Sequence, residues 1–337
     1  MLARQRYFFR RILFFGIILL VTATSCTDRP EEIQAPLEKV RVASVPAIVE
    51  APTHIAYHNK YFEDEGLDVS LKINPDGKTS LEQLLNGEAD IITVTGTPVV
   101  YSSLKGNTFY ILANIDHSLI HFVVARKDRG IKTISDLKGK KVAVMLGTSG
   151  QFFMDSLLTL NKIKKTDLEI INLNAPAQVK SFTAGEVDAI FSWTPFPQQA
   201  LQQLGEKATL LPSDLVRPCS WVVVARKTYV DNNPEVAKKV LKALLRAVDY
   251  IAQNREQASK IHTQVGGAQS PELSELFKTM TFNVSLNHSL LLDLENQARW
   301  ILKNGYSDAK KVPNYLDYFF ADAMKAVRPE ATNLIGR

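Results

Sequence analysis

Two cysteines, Cys26 and Cys219, are too few in 337 residues for a disulfide framework. The phosphate-cradling spacing GxxxxGK[ST] is absent, and so is GxGxxG, which removes the P-loop and dinucleotide-binding readings. No Ser/His/Asp order, paired carboxylates or reactive-cysteine setting points to catalysis. Excess positive charge is missing too. The net charge is +5, but Arg4, Arg6, Arg10 and Arg11 carry four of those charges, and without them it falls to +1. Nothing therefore supports nucleic-acid binding. The long apolar run, ILFFGIILLVTAT (Ile12 to Thr24), has 13 residues and is too short to span a bilayer comfortably.

What is present begins with that run. Arginines, an apolar stretch and small residues in succession form an export signal. Its end, Ala23-Thr24-Ser25-Cys26, resembles a bacterial lipoprotein lipobox, with Ala23 where the pattern prefers Leu. The expectation is a signal over 1–25 and a Cys26 that is acylated, for example with palmitate, after cleavage. The polar, proline-punctuated residues up to 38 then form a tether from a membrane anchor. Cys219 is left as a small buried hydrophobe.

The composition of the whole sequence, 45% hydrophobic and 22% charged, is that of a soluble globular protein long enough for two domains. VRVASV predicts a strand, EAPTHIAYHNKYFEDEG a helix stopped by Gly66, and LDVSLKI a second strand. Ser80 with Gln83 reads as a capping box for LEQLLN. From Pro234 onward the pattern is helical, including PELSELFKTM, SLLLDLENQARWILKNG and PNYLDYFFADAMKAV, with apolar spacing suited to packing on the first lobe. Strands alternating with helices predict α/β units with largely parallel sheets.

Two internal echoes organise this pattern. NGEADIITVTGTPVV (Asn86 to Val100) and AGEVDAIFSWTPFPQ (Ala184 to Gln198) share Gly-Glu-x-Asp, an apolar strand and Thr-Pro, with Gly87 and Gly185 98 positions apart. HFVVARK and WVVVARK share VVARK, beginning at Val123 and Val223. If those two strands join the lobes, lobe one comprises 39–123 and 224–337, and lobe two comprises 124–223.

Each Thr-Pro turn is expected to set a helix start at the carboxyl end of a strand, where open α/β sheets bind ligands. Backbone N–H groups there attract an anion or polar oxygen. The candidates are Thr95, Gly96 and Thr97 in lobe one, and Ser192, Thr194 and the Trp193 ring in lobe two. A third turn, Gly147-Thr148-Ser149-Gly150 after KVAVML, has the small residues needed for close backbone approach. His54/His58 and His117/His121 stand at i, i+4 spacing without an HExxH context, and no metal is expected. Asp116 and His117, just before the first crossing, are expected to line the cleft.

TISDLKGKKVAVMLGTSG, LLNGEADIITVTGTPV and AGEVDAIFSWTPFPQQAL together resemble the nitrate/sulfonate/taurine-type substrate-binding proteins of ABC transporters. That resemblance implies an α/β type II periplasmic-binding-protein fold of two lobes, with two crossover hinge strands and the C-terminal helices on lobe one. It implies a small-molecule ligand held by the Val45-Pro46-Ala47 loop and the three turns, with Trp193 packed on it. It further implies a monomer with no enzymatic activity or cofactor, whose partner is an ABC permease. These turns lack an arginine to clamp a sulfonate or nitrate, so a neutral or amine-bearing ligand, including a vitamin or thiamine precursor, stays open. A binding-protein-like enzyme and a sensory module for a membrane receptor are the other readings.

Overall fold

The computed structural model describes residues 36–334 except 216–217 and 268–270. The expected signal, Cys26 and most of the tether lie outside the described residues. The described strands are β1 (Glu38–Ser44), β2 (Leu67–Ile73), β3 (Ile91–Thr95), β4 (Tyr110–Ser118), β5 (His121–Arg126) and β6 (Lys141–Val144), then β7 (Glu169–Asn172), β8 (Ala189–Trp193), β9 (Ala208–Leu210), β10 (Cys219–Ala225) and β11 (Phe282–Ser285). The helices are α1 (Ala51–His58), α2 (Tyr61–Asp64), α3 (Gly77–Leu85), α4 (Gly96–Leu104), α5 (Ser149–Leu160), α6 (Ala175–Ala184) and α7 (Phe196–Leu204), then α8 (Lys227–Asn232), α9 (Pro234–Gln253), α10 (Arg255–Val265), α11 (Pro271–Thr279), α12 (His288–Lys303) and α13 (Ala321–Val327).

Two sheets form, ordered β11-β4-β10-β3-β1-β2 and β7-β6-β8-β5-β9. Both contain the same four-strand motif. β2-β1-β3 and β7-β6-β8 are parallel, and β10 and β5 lie antiparallel beside β3 and β8. The echoes are therefore one duplicated arrangement, in matching register. Val223 opposes Thr93 and Val123 opposes Phe191, and Thr93 and Phe191 are themselves 98 positions apart. β-branched, doubly buried stretches such as WVVVA suit these central positions.

The shared residues outside the strands are joints. Asp90 accepts from the backbone N of Arg41 at 3.0 Å, and Asp188 from that of Lys141 at 2.8 Å. Their carbonyls accept from the backbone N of Arg226 and Arg126, the arginines of the two VVARK segments. Each Gly-Glu-x-Asp aspartate thus ties the edge of its βα unit to the incoming antiparallel strand. Burial alone would raise the Asp90 carboxyl, but bonds from Arg41 and Arg226 outweigh it and hold it below the usual range. Asp188, bonded by Arg129, behaves alike.

Several local expectations shift. β5 and β10 are each hydrogen-bonded into one sheet on both sides, so division at 123/124 and 223/224 would cut them. The chain leaves one sheet at the end of β4 and enters the other at β5, and it returns between the end of β9 and the start of β10. The helix expected from Glu50 to Gly66 is two, because Lys60 takes a left-handed backbone (φ 60°) between α1 and α2. α3 begins four residues earlier than a Ser80 cap implies: Asp76 accepts from Thr79 N at 2.9 Å, while buried Ser80 bonds Asn74. Of PNYLDYFFADAMKAV only a short 3-10 turn and α13 are helical.

Lobe one has one continuous core that takes in α9, α12 and α13, and lobe two has two smaller clusters. Among the described residues no helix is long and apolar enough to cross a membrane.

Candidate ligand cleft

The carboxyl ends of the parallel strands in both sheets converge on one cavity. After β1 come Val45, Pro46 and Ala47, after β2 Pro75, Asp76, Gly77 and Lys78, and at the end of β3 Thr95. Lobe two adds Thr148 and Ser149 after β6 and the Trp193 to Phe196 turn after β8. Pro98 of α4, Ile120 of the first crossing and Trp221 of β10 complete the lining. The empty space among them, open solvent at the mouth included, is about 510 Å³.

Four helices, α3, α4, α5 and α7, begin at this cavity. The first N–H groups of a helix have no intrahelical acceptor, and their dipoles favour negative charge. Polar side chains in lobe two are largely engaged within the protein. Thr148 Oγ1 accepts from Gly150 N at 3.2 Å and donates to the Met145 carbonyl at 2.7 Å. Ser149 Oγ meets His121 Nε2 at 2.9 Å, and Thr194 N donates to the Ile120 carbonyl at 2.9 Å. The Trp193 ring stands edge-on to Phe196, 6.2 Å away, and crosses the start of α5. A Cβ at Gly150 would lie 3.4 Å from that ring, an ordinary contact distance. In lobe one the Thr95 hydroxyl is not engaged in capping α4. Among the described residues, Asp76 and Lys78 supply the only charged side chains in the lining.

Of the residues predicted from sequence, Pro46, Thr95, Thr148, Ser149, Trp193 and Thr194 line this cavity. Gly96 and Thr97 face α12 instead: a Cβ at Gly96 would lie 3.1 Å from Leu294, and Thr97 Oγ1 donates to Gln297 at 2.5 Å. Helix α4 begins at Gly96, with Thr95 as its cap, so both residues turn inside it. Gly147 lies in an outer groove, its N–H bonded to Gln151. Asp116 is buried in β4 opposite Trp221 and Phe282, away from the lining, and accepts from Ser118. His117 pairs with Ser220 along β4. The two Thr-Pro turns also differ: Thr194-Pro195 is cis and α7 starts only at Phe196.

Sequence reasoning missed Asp76, Gly77 and Lys78 because it started α3 too late. It missed Trp221, although the VVARK echo sets that residue where His121 stands in lobe two, opposite the strand end. His54 and His58 do not act together: His54 is buried and His58 is exposed beside Asn59. Among the described residues no cluster of three or more His, Cys, Asp or Glu could hold a metal ion.

The lobes meet beside the cavity. Asp155 accepts from Trp300 Nε1 at 3.2 Å and from the Tyr306 hydroxyl at 2.7 Å. Lys165 reaches Asn304 at 2.9 Å and the Tyr306 hydroxyl. Phe152 packs on Trp300 with ring centres 4.6 Å apart.

Residues 48–258, more than half of the sequence, match the family model described as NMT1/THI5 like. The chain belongs to the NMT1/THI5-like family. A Brucella abortus (strain 2308) relative named as a binding protein is 26% identical over 215 residues, or 62% of this chain and 65% of the relative. The match thus spans slightly less than two thirds of that relative's length. A relative in Escherichia coli (strain K12), named as an aliphatic sulfonates-binding protein, is 24% identical over 266 residues, 78% of this chain and 81% of the relative. Among solved structures, the periplasmic aliphatic sulphonate binding protein SsuA from Escherichia coli superposes with a TM-score of 0.72 at 20% identity, over 86% of this chain and 99% of that one. The fold of this NMT1/THI5-like chain is that of a periplasmic binding protein, as its sequence motifs suggested.

Proposed function

We propose that this protein is an exported, monomeric solute-binding protein. It captures a small sulfonate-class ligand between its lobes and presents it to an ABC permease, held to the membrane by an acylated Cys26. One observation carries the reading: four helix starts from both lobes open on one cavity with no arginine among the described lining residues. Such a site holds an oxyanion through backbone N–H groups, as helix N-termini do generally. Asp76 and Lys78 at the same cavity offer partners to a ligand that also carries an amine, as taurine does. The sulfonate-binding name of one relative agrees with this chemistry. Ligand contacts from the second lobe favour the closed arrangement, and closure is what the permease reads. The lining groups act as binding groups with no catalytic step.

A thermal-shift panel of taurine, methanesulfonate, nitrate, bicarbonate, a thiamine precursor and riboflavin tests the class. A sulfonate raises the melting temperature as mass action requires, and stabilisation by the vitamins alone would replace the sulfonate reading. Cys26→Ala, expressed with labelled palmitate, is expected to lose the label that the parent chain takes up.

A further inference from the structure

Behind the lobe-one wall runs a buried polar chain that is not part of the cavity lining. Glu50 ends the 3-10 turn Ile48–Glu50, immediately after the lining residues Val45 to Ala47. Its Oε1 accepts from Trp221 Nε1 at 3.1 Å and from the Thr93 hydroxyl. The hydroxyls of Ser44 and Thr53 also favour its charged form, although Oε2 makes no aligned hydrogen bond. Ser44 Oγ then meets His54 Nε2 at 3.0 Å, and His54 Nδ1 meets His262 Nδ1 at 2.9 Å with the rings stacked. His262 Nε2 is buried without a hydrogen-bond partner among the described residues. Glu50, Ser44, His54 and His262 are all at most 2% exposed.

A neutral histidine carries one N–H, so this chain has a direction. With Glu50 ionised, Ser44 donates toward the carboxylate, His54 Nε2–H donates to Ser44, and His262 Nδ1–H donates to His54. His262 Nε2 is then a bare acceptor. With Glu50 protonated, the two hydrogen bonds of the chain can reverse: the carboxyl proton turns toward Ser44, Ser44 donates to His54 Nε2, and His54 Nδ1–H donates to His262 Nδ1, which leaves His262 protonated at Nε2. The two arrangements differ by one proton, and neither histidine becomes charged. Burial pushes the Glu50 carboxyl up to about 7, against the bonds that favour its charged form. Burial also holds His262 down to about 4 and His54 well below its usual value. Glu50 is therefore the group that titrates. The elements around it present Ser44 from β1, Thr53 and His54 from α1, Thr93 from β3 and Trp221 from β10, with His262 of α10 behind His54. β4 also packs on this turn and carries the buried Asp116.

We propose that Glu50 is a positioning residue of the ligand cleft. It sets the Trp221 ring and the Val45 to Ala47 loop, and the Ser44–His54–His262 chain couples that setting to uptake of one proton. The role in binding rests on the cleft being the ligand site; the coupling does not.

The test follows the indole N–H resonances of the ¹⁵N-labelled full chain from about pH 5 to about pH 9, with Trp221→Phe used to assign Trp221. The Trp221 resonance should move with one midpoint near pH 7 and stay flat in Glu50→Gln, which keeps the acceptor and removes the charge. A flat profile in the unaltered protein overturns the proposal even if the variant fails to fold, and an equal titration in Glu50→Gln does the same. Ser44→Ala should shift the midpoint by about half a pH unit or more, and an unchanged midpoint removes the histidines from the scheme. With taurine as the probe, Kd should change about threefold or more between pH 6 and pH 8 only when Glu50 is present. A taurine Kd that changes equally in Glu50→Gln overturns the binding role. Failure of taurine to bind at all counts against the sulfonate reading, and the resonance then decides the proposal.

Discussion

Each lobe contributes one tryptophan to the cleft, and the two are held in opposite ways. Trp221 is 4% exposed, belongs to the lobe-one core and donates its indole N–H to buried Glu50. Trp193 is half-buried and rests on the start of α5 and on Phe196. The first is wall and the second is contact surface. Lobe one therefore offers the ligand a face whose shape the core dictates, and lobe two offers a ring whose loss the core tolerates.

The contrast breaks most visibly at the core side. Trp221→Ala should destabilise the protein by about 3–5 kcal/mol in urea unfolding, because it empties a large core volume and removes one of the hydrogen-bond donors to buried Glu50. A loss comparable to that of Trp193→Ala would show that both rings are surface features. Next come the duplicated joints. Asp90 is bonded by two arginines and Asp188 by one, so Asp90→Asn should cost about 2–3 kcal/mol and Asp188→Asn about 1–2 kcal/mol. Both estimates are discounted because the arginines reach solvent. Both carboxyls sit below 3.8 when folded, so the unfolded chain takes up protons first as pH falls. Their stabilisation is complete above about pH 4 and disappears as pH drops through the lower folded values. Equal sensitivity of the two variants in an acid-unfolding series would erase this difference between the lobes.

Trp193→Ala should leave stability within about 1 kcal/mol and weaken binding of the screened ligand by about tenfold, read by calorimetry. Unchanged affinity removes that ring from the site. The smallest effect belongs to the contact between lobes. Lys165→Met removes the bonds to Asn304 and Tyr306 and should weaken binding about two- to threefold, with a larger radius of gyration in scattering. Tighter binding would mean that the contact opposes closure.

Much of the architecture was legible because it repeats. Gly-Glu-x-Asp with its strand, and VVARK with its strand, gave two copies of one motif. The glycine after α6 and the Asn174 cap mark boundaries that local backbone chemistry decides. The turns at Thr95, Thr148 and Trp193 were legible for the same reason, since a strand followed by a capped helix start points its N–H groups one way. The α3 start was misread because two caps competed locally. Asp76 prevails there: it accepts from Thr79 N, while Ser80 is buried and bonded to Asn74 six residues before it.

The sequence by itself determined the alternation of strands and helices, the duplication and several of the helix starts, because periodicity and capping act within a few residues. Only the tertiary structure decided which of those starts face the cavity. Gly96 and Thr97 turn toward α12, some two hundred positions away in the sequence, while Trp221 and Glu50 come together across 171 positions. Such contacts form where distant segments find burial and hydrogen-bond partners at once, and no local pattern encodes that meeting.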